Sequence, residues 1–302
     1  FPLVKNLIEL TEVKMSKAGG EYKEVLFEIR NKVAWISINR PDVRNAFREQ
    51  TLDELTDAVL STRNDPSIVC VVINGVGDKA FSAGGDFHAM MRLDWINAAH
   101  WNDRMLALAM AIRGLPIPVV ASVHGYCMGG GHELALWCDL VIAADDAVFG
   151  QSGAVVGACP TVGATQYLPQ LIGSRLAKEM IFMARRFTAE EAVSIGLINK
   201  VVPKDKLDEE TQKWCEGLID RSGQTIRQTK KSLNHDSDTL YASWQHGMEL
   251  LAHVWGSEES LEGMNAFLEK RKPDFQQFRE RRKENVEAYL DGLDNDENER
   301  SN

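Results

Sequence analysis

The sequence predicts an α/β fold in which parallel strands alternate with helices, followed by a mostly helical region. Two observations support this prediction. Short apolar runs at 69–75 and 118–125 suit buried strands, and after each of them come a glycine-rich loop and then residues with helical spacing. From about residue 175 onward, apolar residues recur mainly at helical spacing between charged residues.

The core elements can be justified in chain order. The segment 25–41, VLFEIRNKVAWISINRP, alternates as two short strands around a turn at Asn31 and Lys32, and Pro41 ends the second strand. A helix over 51–63 has one apolar face, made by Leu52, Leu55, Ala58 and Val59. The elements that follow are a strand at 69–75, an irregular stretch at 77–87, a helix at 101–113, a strand at 118–125, a helix after the glycines at 129–131, and a strand at 140–150.

The second half of the chain is marked by helix caps and large apolar residues. Thr188 is a predicted helix N-cap, Gly196 a predicted helix end, and Pro203 ends a short strand. The last third contains large apolar residues at Trp244, Leu250, Leu251 and Trp255, which predict helices that pack on the core or on a neighbouring subunit. We therefore divide the chain into an N-terminal arm at 1–20, a core at 21–205, and a helical region with an acidic tail at 206–302.

Composition excludes several classes of protein. With 302 residues and 44% hydrophobic side chains, the chain is long enough for one large domain. A net charge of −10 disfavours a general nucleic-acid binder, and the scattered charges near the start fit neither a signal peptide nor a membrane span. Five widely spaced cysteines predict reduced thiols in a cytoplasmic protein and offer no metal-ligand spacing, so no metal is expected: Cys70, Cys127, Cys138, Cys159 and Cys215.

The two glycine loops, SAGGD at 82–86 and GGG at 129–131, suggest a chemical role. A glycine loop that runs from a strand into a helix lets backbone N–H groups approach a ligand at the positive end of the helix dipole. Two such loops can aim two donors at one oxygen, which is the design of an oxyanion hole. Neither loop has the spacing of a phosphate-binding motif.

Three motifs resemble the crotonase superfamily, also called the enoyl-CoA hydratase/isomerase family. They are AFSAGGD at 80–86, GYCMGGGHELALWCDLVIAADDAVFGQ at 125–151, and GATQYLPQLIG at 163–173, and the likeness covers roughly 22–279. The resemblance implies a crotonase-type α/β spiral of repeated strand–helix units. It also implies C-terminal helices that build a homotrimer, with trimers often paired into hexamers.

The resemblance assigns roles to particular residues. Gly85 and Gly130 match the positions whose N–H groups hold the thioester oxygen of an acyl-CoA as it becomes an enolate. Coenzyme A, which is part of the substrate and not a separate cofactor, lies near the segment matching Val43, Arg44 and Ala46. Lys270 matches a basic position that reaches coenzyme A. Residues expected in or beside the substrate pocket are Ala83, Asp86, His88, Gln151, Ser152, Gly153, Cys159 and Trp255, with Val155, Val156 and Val162 among the apolar lining.

The catalytic acid positions depart from the simple hydratases. Glu133 matches one of their two glutamates, whereas the second position is Gly153, so one acid remains. In an apolar setting Glu133 is expected to have a raised pKa and to act as a general base near neutral pH. His132 precedes it and points about 100° away around a helix, so we expect it to pack elsewhere.

The branch within the family stays open at this point. NRPDVRNAFR at 39–48 and EGMNAFLEKRKPDFQQF at 262–278 resemble naphthoate synthase and the ring-cleaving hydrolases of alicyclic acyl-CoA compounds. Gly153 fits both, but naphthoate synthase usually carries serine and aspartate where this chain has ACP at 158–160, and tyrosine at Trp255. Hydrolytic carbon–carbon cleavage is preferred, ahead of a one-acid hydratase or isomerase, naphthoate synthase chemistry, and a non-catalytic acyl-CoA-binding protein.

Overall fold

A computed structural model describes residues 22–300, apart from the side chains of Asp236, Asp238 and 291–300. The predicted arm at 1–20 and the last two residues of the acidic tail lie outside this part of the chain. Within it, no helix is long and apolar enough to cross a membrane.

The described chain contains ten strands. They are β1 (Val25–Arg30), β2 (Val33–Ile38), β3 (Cys70–Gly75), β4 (Ala80–Ser82), β5 (Val119–Val123), β6 (Tyr126–Met128), β7 (Leu140–Ala144), β8 (Val148–Gly150), β9 (Arg186–Thr188) and β10 (Lys200–Val202).

Thirteen α-helices accompany these strands over residues 22–300. They are α1 (Glu49–Ser61), α2 (Phe87–Met90), α3 (Ala98–Arg113), α4 (Gly130–Trp137), α5 (Gly153–Val156), α6 (Ala164–Ile172), α7 (Ser174–Phe182), α8 (Ala189–Ser194), α9 (Leu207–Ile219), α10 (Gly223–Asp238), α11 (Tyr241–Val254), α12 (Glu258–Leu268) and α13 (Gln276–Arg300).

Two sheets share the strands in alternation along the chain. The larger sheet has the order β1-β2-β3-β5-β7-β10 and the smaller one β4-β6-β8-β9. Strands β3, β5 and β7 lie parallel in the larger sheet, while β4, β6 and β8 lie parallel in the smaller one. Each turn of the spiral therefore places one strand in each sheet before the next helix. The predicted α/β class with C-terminal helices is confirmed.

The first hairpin shows how local chemistry sets this framework. Asn31 and Lys32 both adopt the left-handed region, with φ of 47° and 66°. Two-residue turns of this kind match the twist of antiparallel strands, and Arg30 pairs with Val33 across the turn. The hairpin predicted from 25–41 is present.

Three stretches of the core differ from their prediction. The strand predicted at 140–150 is two strands, β7 and β8, which lie in different sheets. In the same way β6 follows β5 after a corner, and the stretch 77–87 predicted as irregular contains β4. The corner between β7 and β8 is fixed by Asp146, whose side chain accepts the N–H of Gly125 at 3.2 Å. Apolar patterning does not detect such corners, because the chain stays buried on both sides of them.

The helices cover both faces of the larger sheet. Leu207 and Cys215 of α9 pack against one face with Trp35 and Val72. The other face adjoins the main core, which includes α1 and α3. Helix α11 is tied to α3 by the side-chain amide of Asn102, which donates to the carbonyl of Met248 at 2.9 Å. The C-terminal region is therefore joined to the core at the side where the glycine loops lie.

Candidate active site

The first glycine loop, residues 83–86, follows β4. The N–H of Phe47 donates to the carbonyl of Gly84 at 2.9 Å, and the N–H of Asp86 donates to the carbonyl of Phe47 at 2.9 Å. In a parallel bridge of this kind the residue between the two bonds directs its own N–H away from the partner strand. That residue is Gly85, whose N–H has no acceptor among residues 22–300.

The second glycine loop, residues 129–131, lies between β6 and α4. Gly129 has φ 54° and ψ −125°, a conformation that needs glycine, and its N–H donates to the carbonyl of Gly150 at 2.9 Å. Gly130 is the first residue of α4, where an N–H has no partner within the helix. Its N–H has no acceptor elsewhere in the described chain either.

The two loops are in direct contact. A Cβ placed on Gly84, which has φ 93°, would lie only 2.9 Å from the backbone nitrogen of Gly130. Gly85 and Gly130 both line one cavity of about 70 Å³. The arrangement therefore presents two unpaired backbone N–H groups at a single cavity, as an oxyanion hole requires.

Glu133 lines the same cavity from the first turn of α4. Its Oε1 accepts the backbone N–H groups of Val162 at 2.9 Å and Ala164 at 3.2 Å. The side chain is 4% exposed, and Oε2 has no hydrogen-bond partner among the described residues. One oxygen thus fixes the carboxyl group, while the other remains available for a proton.

Burial sets the protonation of this carboxyl group. It raises the pKa of Glu133 from 4.5 to about 7, although the N–H groups of Ala164 and Val162 act in the opposite direction. A carboxyl group with this pKa can accept and return a proton near neutral pH.

Backbone closes in Gly153, the residue that the family resemblance matches to the second acid of the simple hydratases. Gly153 lines the cavity, but a Cβ there would lie 2.3 Å from the carbonyl oxygen of Ala158 and 3.3 Å from Cδ of Pro160. A glutamate at 153 would therefore require the segment 158–160 to move. The one-acid site follows from the path of the backbone as well as from the residue type.

Other predicted residues divide into those at the cavity and those away from it. The cavity wall includes Ala83, Gln151, Ser152, Cys159 and Trp255, together with Val156 and Val162. Val155 does not belong to the wall, since its side chain is 44% exposed on the other side of the short helix α5. Burial raises the pKa of the Cys159 thiol, which disfavours its thiolate form.

Sequence reasoning missed much of the apolar wall. Phe47, Phe87, Met90, Trp101, Met105 and Leu251 also line the cavity. They come from four separate segments, and only the fold brings them together. Apolar patterning along the chain gives no sign of a cavity shared by such distant segments.

The expected coenzyme A segment adjoins the first glycine loop. The N–H of Ala83 donates to the carbonyl of Arg44 at 2.9 Å, while the side chains of Val43 and Arg44 are exposed. The Arg44 guanidinium lies 5.5 Å from the ring centre of Tyr126. Ala46 is buried behind this segment and does not line the cavity.

Asp86 and His88 lie outside the cavity, contrary to the prediction that they belong to the substrate pocket. The Asp86 carboxylate accepts the N–H of His88 at 3.0 Å and pairs with the Arg40 guanidinium at 2.9 Å, so it orders its own loop. His88 is exposed on the outer side of α2. Lys270 is also exposed, after the end of α12. Phe267 of that helix packs on Phe87 of α2 with ring centres 4.9 Å apart.

Comparisons with known proteins agree with this geometry. Residues 28–280 match the model of a family described as enoyl-CoA hydratase/isomerase. The chain is similar to an enoyl-CoA hydratase from Mycobacterium avium subsp. paratuberculosis K-10, with 28% identity and a TM-score of 0.77 over 84% of this chain and 99% of that one.

Two further solved structures are similar. An enoyl-CoA hydratase from Bacillus anthracis is 32% identical with a TM-score of 0.69, over 83% of this chain and 98% of that one. A methylmalonyl-CoA decarboxylase in complex with 2-nitronate-propionyl-CoA is 31% identical with a TM-score of 0.75, over 84% of this chain and 99% of that one. The relatives thus differ in reaction while sharing the fold and acyl-CoA chemistry.

Proposed function

The chain belongs to the enoyl-CoA hydratase/isomerase family, and on that premise we propose that it hydrolyses a carbon–carbon bond in a cyclic β-oxoacyl-CoA thioester. The observation that carries the proposal is one buried carboxyl group, Glu133, at a cavity with two unpaired backbone N–H groups, those of Gly85 and Gly130. Enzymes of this family act on acyl-CoA thioesters, and hydrolytic ring cleavage is the reaction that we propose for this member.

The thioester carbonyl oxygen binds between the N–H groups of Gly85 and Gly130. These donors stabilise the negative charge that develops on the oxygen when the thioester becomes an enolate, which in comparable sites is worth about 3 to 4 kcal/mol per donor. The pantetheine arm leaves the cavity past the segment 43–46. Arg44 and Lys270 are proposed to bind the phosphates of coenzyme A.

Glu133 activates the water. Its ionised carboxylate takes a proton from water, and the resulting hydroxide attacks the ring ketone carbon β to the thioester. The tetrahedral adduct collapses to a carboxylic acid, and the electron pair of the broken carbon–carbon bond passes to the α carbon, forming the thioester enolate. Glu133 then returns its proton to that carbon. One water is added and one ring bond is lost.

Trp255 favours a substrate with a second oxygen. Its side chain lines the cavity and is 4% exposed, and its indole N–H has no acceptor among the described residues. A buried donor without a partner costs about 1 to 3 kcal/mol, which a ring ketone oxygen would recover on binding. A simple enoyl thioester offers no such oxygen.

Hydration of an enoyl-CoA is the second candidate, supported by similarity to the two enoyl-CoA hydratases. It would use the same donors and the same base, with water added to a double bond. Gly153 weighs against it, because the site holds one carboxyl group where the simple hydratases hold two. Isomerisation by Glu133 alone would add no water.

Neither route requires a resident metal or cofactor, since each step moves only protons and water, and coenzyme A arrives with the substrate. We expect the enzyme to work in the cytoplasm as a homotrimer or a dimer of trimers, as the family resemblance implies.

The test is a panel of thioesters analysed by tandem mass spectrometry. The protein is incubated with six- and seven-membered cyclic β-oxoacyl-CoA and with linear enoyl-CoA thioesters. The proposal expects the mass of one water to be gained, with a new free carboxylic acid, from a cyclic substrate only. Water gained without ring opening would instead support the hydratase, and no change in any thioester would support a non-catalytic binding protein.

Glu133→Gln identifies the base. The variant is expected to lose at least about 1,000-fold in kcat while keeping its affinity for the thioester, because the amide cannot take a proton. Glu249→Gln, an exposed position on α11, is the matched control and should retain wild-type turnover. Full activity in Glu133→Gln would remove Glu133 from the mechanism.

A further inference from the structure

We propose that Gln151 and His132 form a positioning pair that orients the peptide between Gly129 and Gly130. The inference rests on the proposed function, because that peptide carries one of the two N–H groups assigned to the thioester oxygen. Neither side chain is proposed to touch the reacting atoms through this role. The pair acts on the opposite end of the peptide.

The peptide geometry makes the link direct. In a trans peptide the carbonyl and the N–H point in opposite directions. The carbonyl of Gly129 accepts the N–H of Glu133 at 3.0 Å and the side-chain amide of Gln151 at 3.3 Å. The Gly129 carbonyl points along α4, so holding it fixes the Gly130 N–H in the opposite direction, out of the N-terminal end of the helix, where Gly130 lines the cavity.

His132 fixes the orientation of Gln151. Its Nδ1 lies 3.2 Å from Nε2 of Gln151, the same nitrogen that donates to Gly129. An amide nitrogen only donates, so Nδ1 must be the accepting nitrogen and the ring must be neutral, with its proton on Nε2. Burial lowers the pKa of His132 to about 4, so the ring stays neutral over the working range.

Both side chains are fully enclosed. His132 is 1% exposed, Gln151 is completely buried, and the imidazole packs edge-on against Phe149 with ring centres 5.8 Å apart. An enclosed amide held at one nitrogen by two acceptors has little freedom to rotate. The Gly129 carbonyl is therefore held by a rigid donor, and hydrogen bonding to a carbonyl also polarises the N–H of the same peptide.

The chain offers a matched control at His124. It is also a buried histidine whose Nε2 has no partner among the described residues, and like His132 it does not line the cavity, but it has no hydrogen bond with Gln151. Replacing either histidine removes a buried ring of the same size. Only replacement of His132 should affect the Gly130 N–H.

The test measures the thioester carbonyl directly. Butyryl-CoA carrying ¹³C at the thioester carbonyl is bound to the full chain, and isotope-edited infrared spectroscopy records its stretching frequency. In the wild type the frequency falls relative to free butyryl-CoA, because the two N–H groups polarise the bond. Gln151→Leu and His132→Leu are expected to lose part of that shift, whereas His132→Gln, whose amide oxygen can accept from Gln151, and His124→Leu keep it.

Kinetics on the substrate identified by the panel give a second readout. Gln151→Leu should lower kcat by about 10- to 100-fold with less than about a threefold change in KM, because a donor used mainly in the transition state is misdirected. His132 acts through Gln151, so His132→Leu should add little further loss in the Gln151→Leu background. Additive losses would overturn the pairing.

The outcomes separate this inference from the function on which it rests. If wild-type protein binds butyryl-CoA without lowering the carbonyl frequency, the oxyanion hole itself is wrong. If the wild type shows the shift and both leucine variants keep it in full, the oxyanion hole stands and the positioning pair is wrong. Thermal unfolding of each variant shows whether a lost frequency shift is due to a lost fold. If a leucine variant does not fold, the test rests on His132→Gln, which preserves the acceptor and must retain the shift.

Discussion

The two glycine loops supply equivalent N–H groups but are held by different chemistry. The first loop, 83–86, is held by charged side chains in addition to its backbone bonds with Phe47. Asp86 pairs with the Arg40 guanidinium at 2.9 Å, and Arg40 also donates to the carbonyl of Ala46 and lies 3.4 Å from the carboxylate of Glu24. The second loop, 129–131, is held by neutral groups, namely strand β8, the start of α4, and the amide of Gln151.

The difference means that the two halves of one oxyanion hole can respond to different changes, one to protonation and the other to steric substitution. A charged clamp weakens when its carboxylates are protonated. A clamp of amides and packed backbone responds to steric change and is indifferent to charge. Substitutions and pH should therefore separate the two loops experimentally.

Gly131→Ala is expected to have the largest effect, because it forces the loops apart. A Cβ at 131 would lie 2.4 Å from the carbonyl oxygen and 2.7 Å from Cβ of Ser82, and the carbonyl belongs to a backbone that cannot turn aside. We expect a loss of about 3 kcal/mol in the free energy of unfolding, and a fall of at least about 100-fold in kcat as the two N–H groups separate. Urea unfolding and steady-state kinetics measure both.

Gly217→Ala is the control for this substitution. Gly217 lies within α9, and a Cβ there would meet no atom within 4 Å. Its replacement should stabilise the protein by about 0.5 to 1 kcal/mol, since glycine is unfavourable in a helix, and leave kcat unchanged. Equal stability of the two variants would show that the loops are not in tight contact.

The pH dependence of stability should separate the loops next. The pKa of Glu133, beside the second loop, is raised from 4.5 to about 7 by burial, so the folded state holds its proton more tightly than the unfolded chain. Its stability contribution is present in full below pH 4.5 and is lost as pH rises through about 7. At higher pH the buried charge costs about 3 kcal/mol.

This cost is measured by comparing wild type with Glu133→Gln. The variant should gain about 3 kcal/mol in unfolding free energy over wild type between about pH 5 and pH 8, while wild-type kcat rises over the same range as the base ionises. Glu249→Gln should show no such pH-dependent gain. A constant difference between wild type and Glu133→Gln would mean that this carboxyl group is not perturbed.

The first loop should respond in the opposite sense. Burial raises the pKa of Glu24. Hydrogen bonds from Arg48 and Thr51 and the charge of Arg40 lower this pKa by more, so the net shift is downward. Its contribution is present above the unfolded pKa and is lost as pH falls through the folded value. Acid therefore weakens the clamp on the first loop, whereas a rise in pH adds an unfavourable charge beside the second.

The sequence was sufficient where local chemistry marks an element. Thr188 caps α8 by accepting the N–H of Glu191 at 3.2 Å, and Asn31 with Lys32 forms the first turn, both as predicted. Gly85 and Gly130 are singled out by the family resemblance, because a glycine loop between strand and helix can equally serve a turn or close packing. Their meeting at one cavity needed the fold.

The rest of the site depends on contacts that no local pattern records. The carbonyl of Ala158 closes the side of Gly153, and Trp255 reaches the cavity from the end of α11. Nearness in sequence also misleads, since Asp86 and His88 follow the first loop immediately but are turned outward by α2. The assignment to a particular branch of the family and the division at residue 205 stay predictions.

Arg40→Gln is expected to give the smallest of these effects and to act on the first loop alone. It removes the pairing with Asp86 and the bond to the Ala46 carbonyl, while Glu24 keeps its bonds to Arg48 and Thr51. Breaking a fully buried pair costs about 3 to 5 kcal/mol, and because these side chains are 14% and 12% exposed we expect about 2 kcal/mol.

Arg30→Gln provides the comparison. Arg30 pairs with Glu28 at side-chain exposures of 48% and 58%, so the loss of this pair should leave the free energy of unfolding almost unchanged. For Arg40→Gln we expect kcat to fall about 10-fold through displacement of Gly85. The shifts in carbonyl frequency caused by Arg40→Gln and by Gln151→Leu should add in the double variant, because the two substitutions act on separate loops. Equal unfolding midpoints in urea for Arg40→Gln and Arg30→Gln would mean that charge does not hold the first loop, and the contrast between the loops would then be one of backbone packing alone.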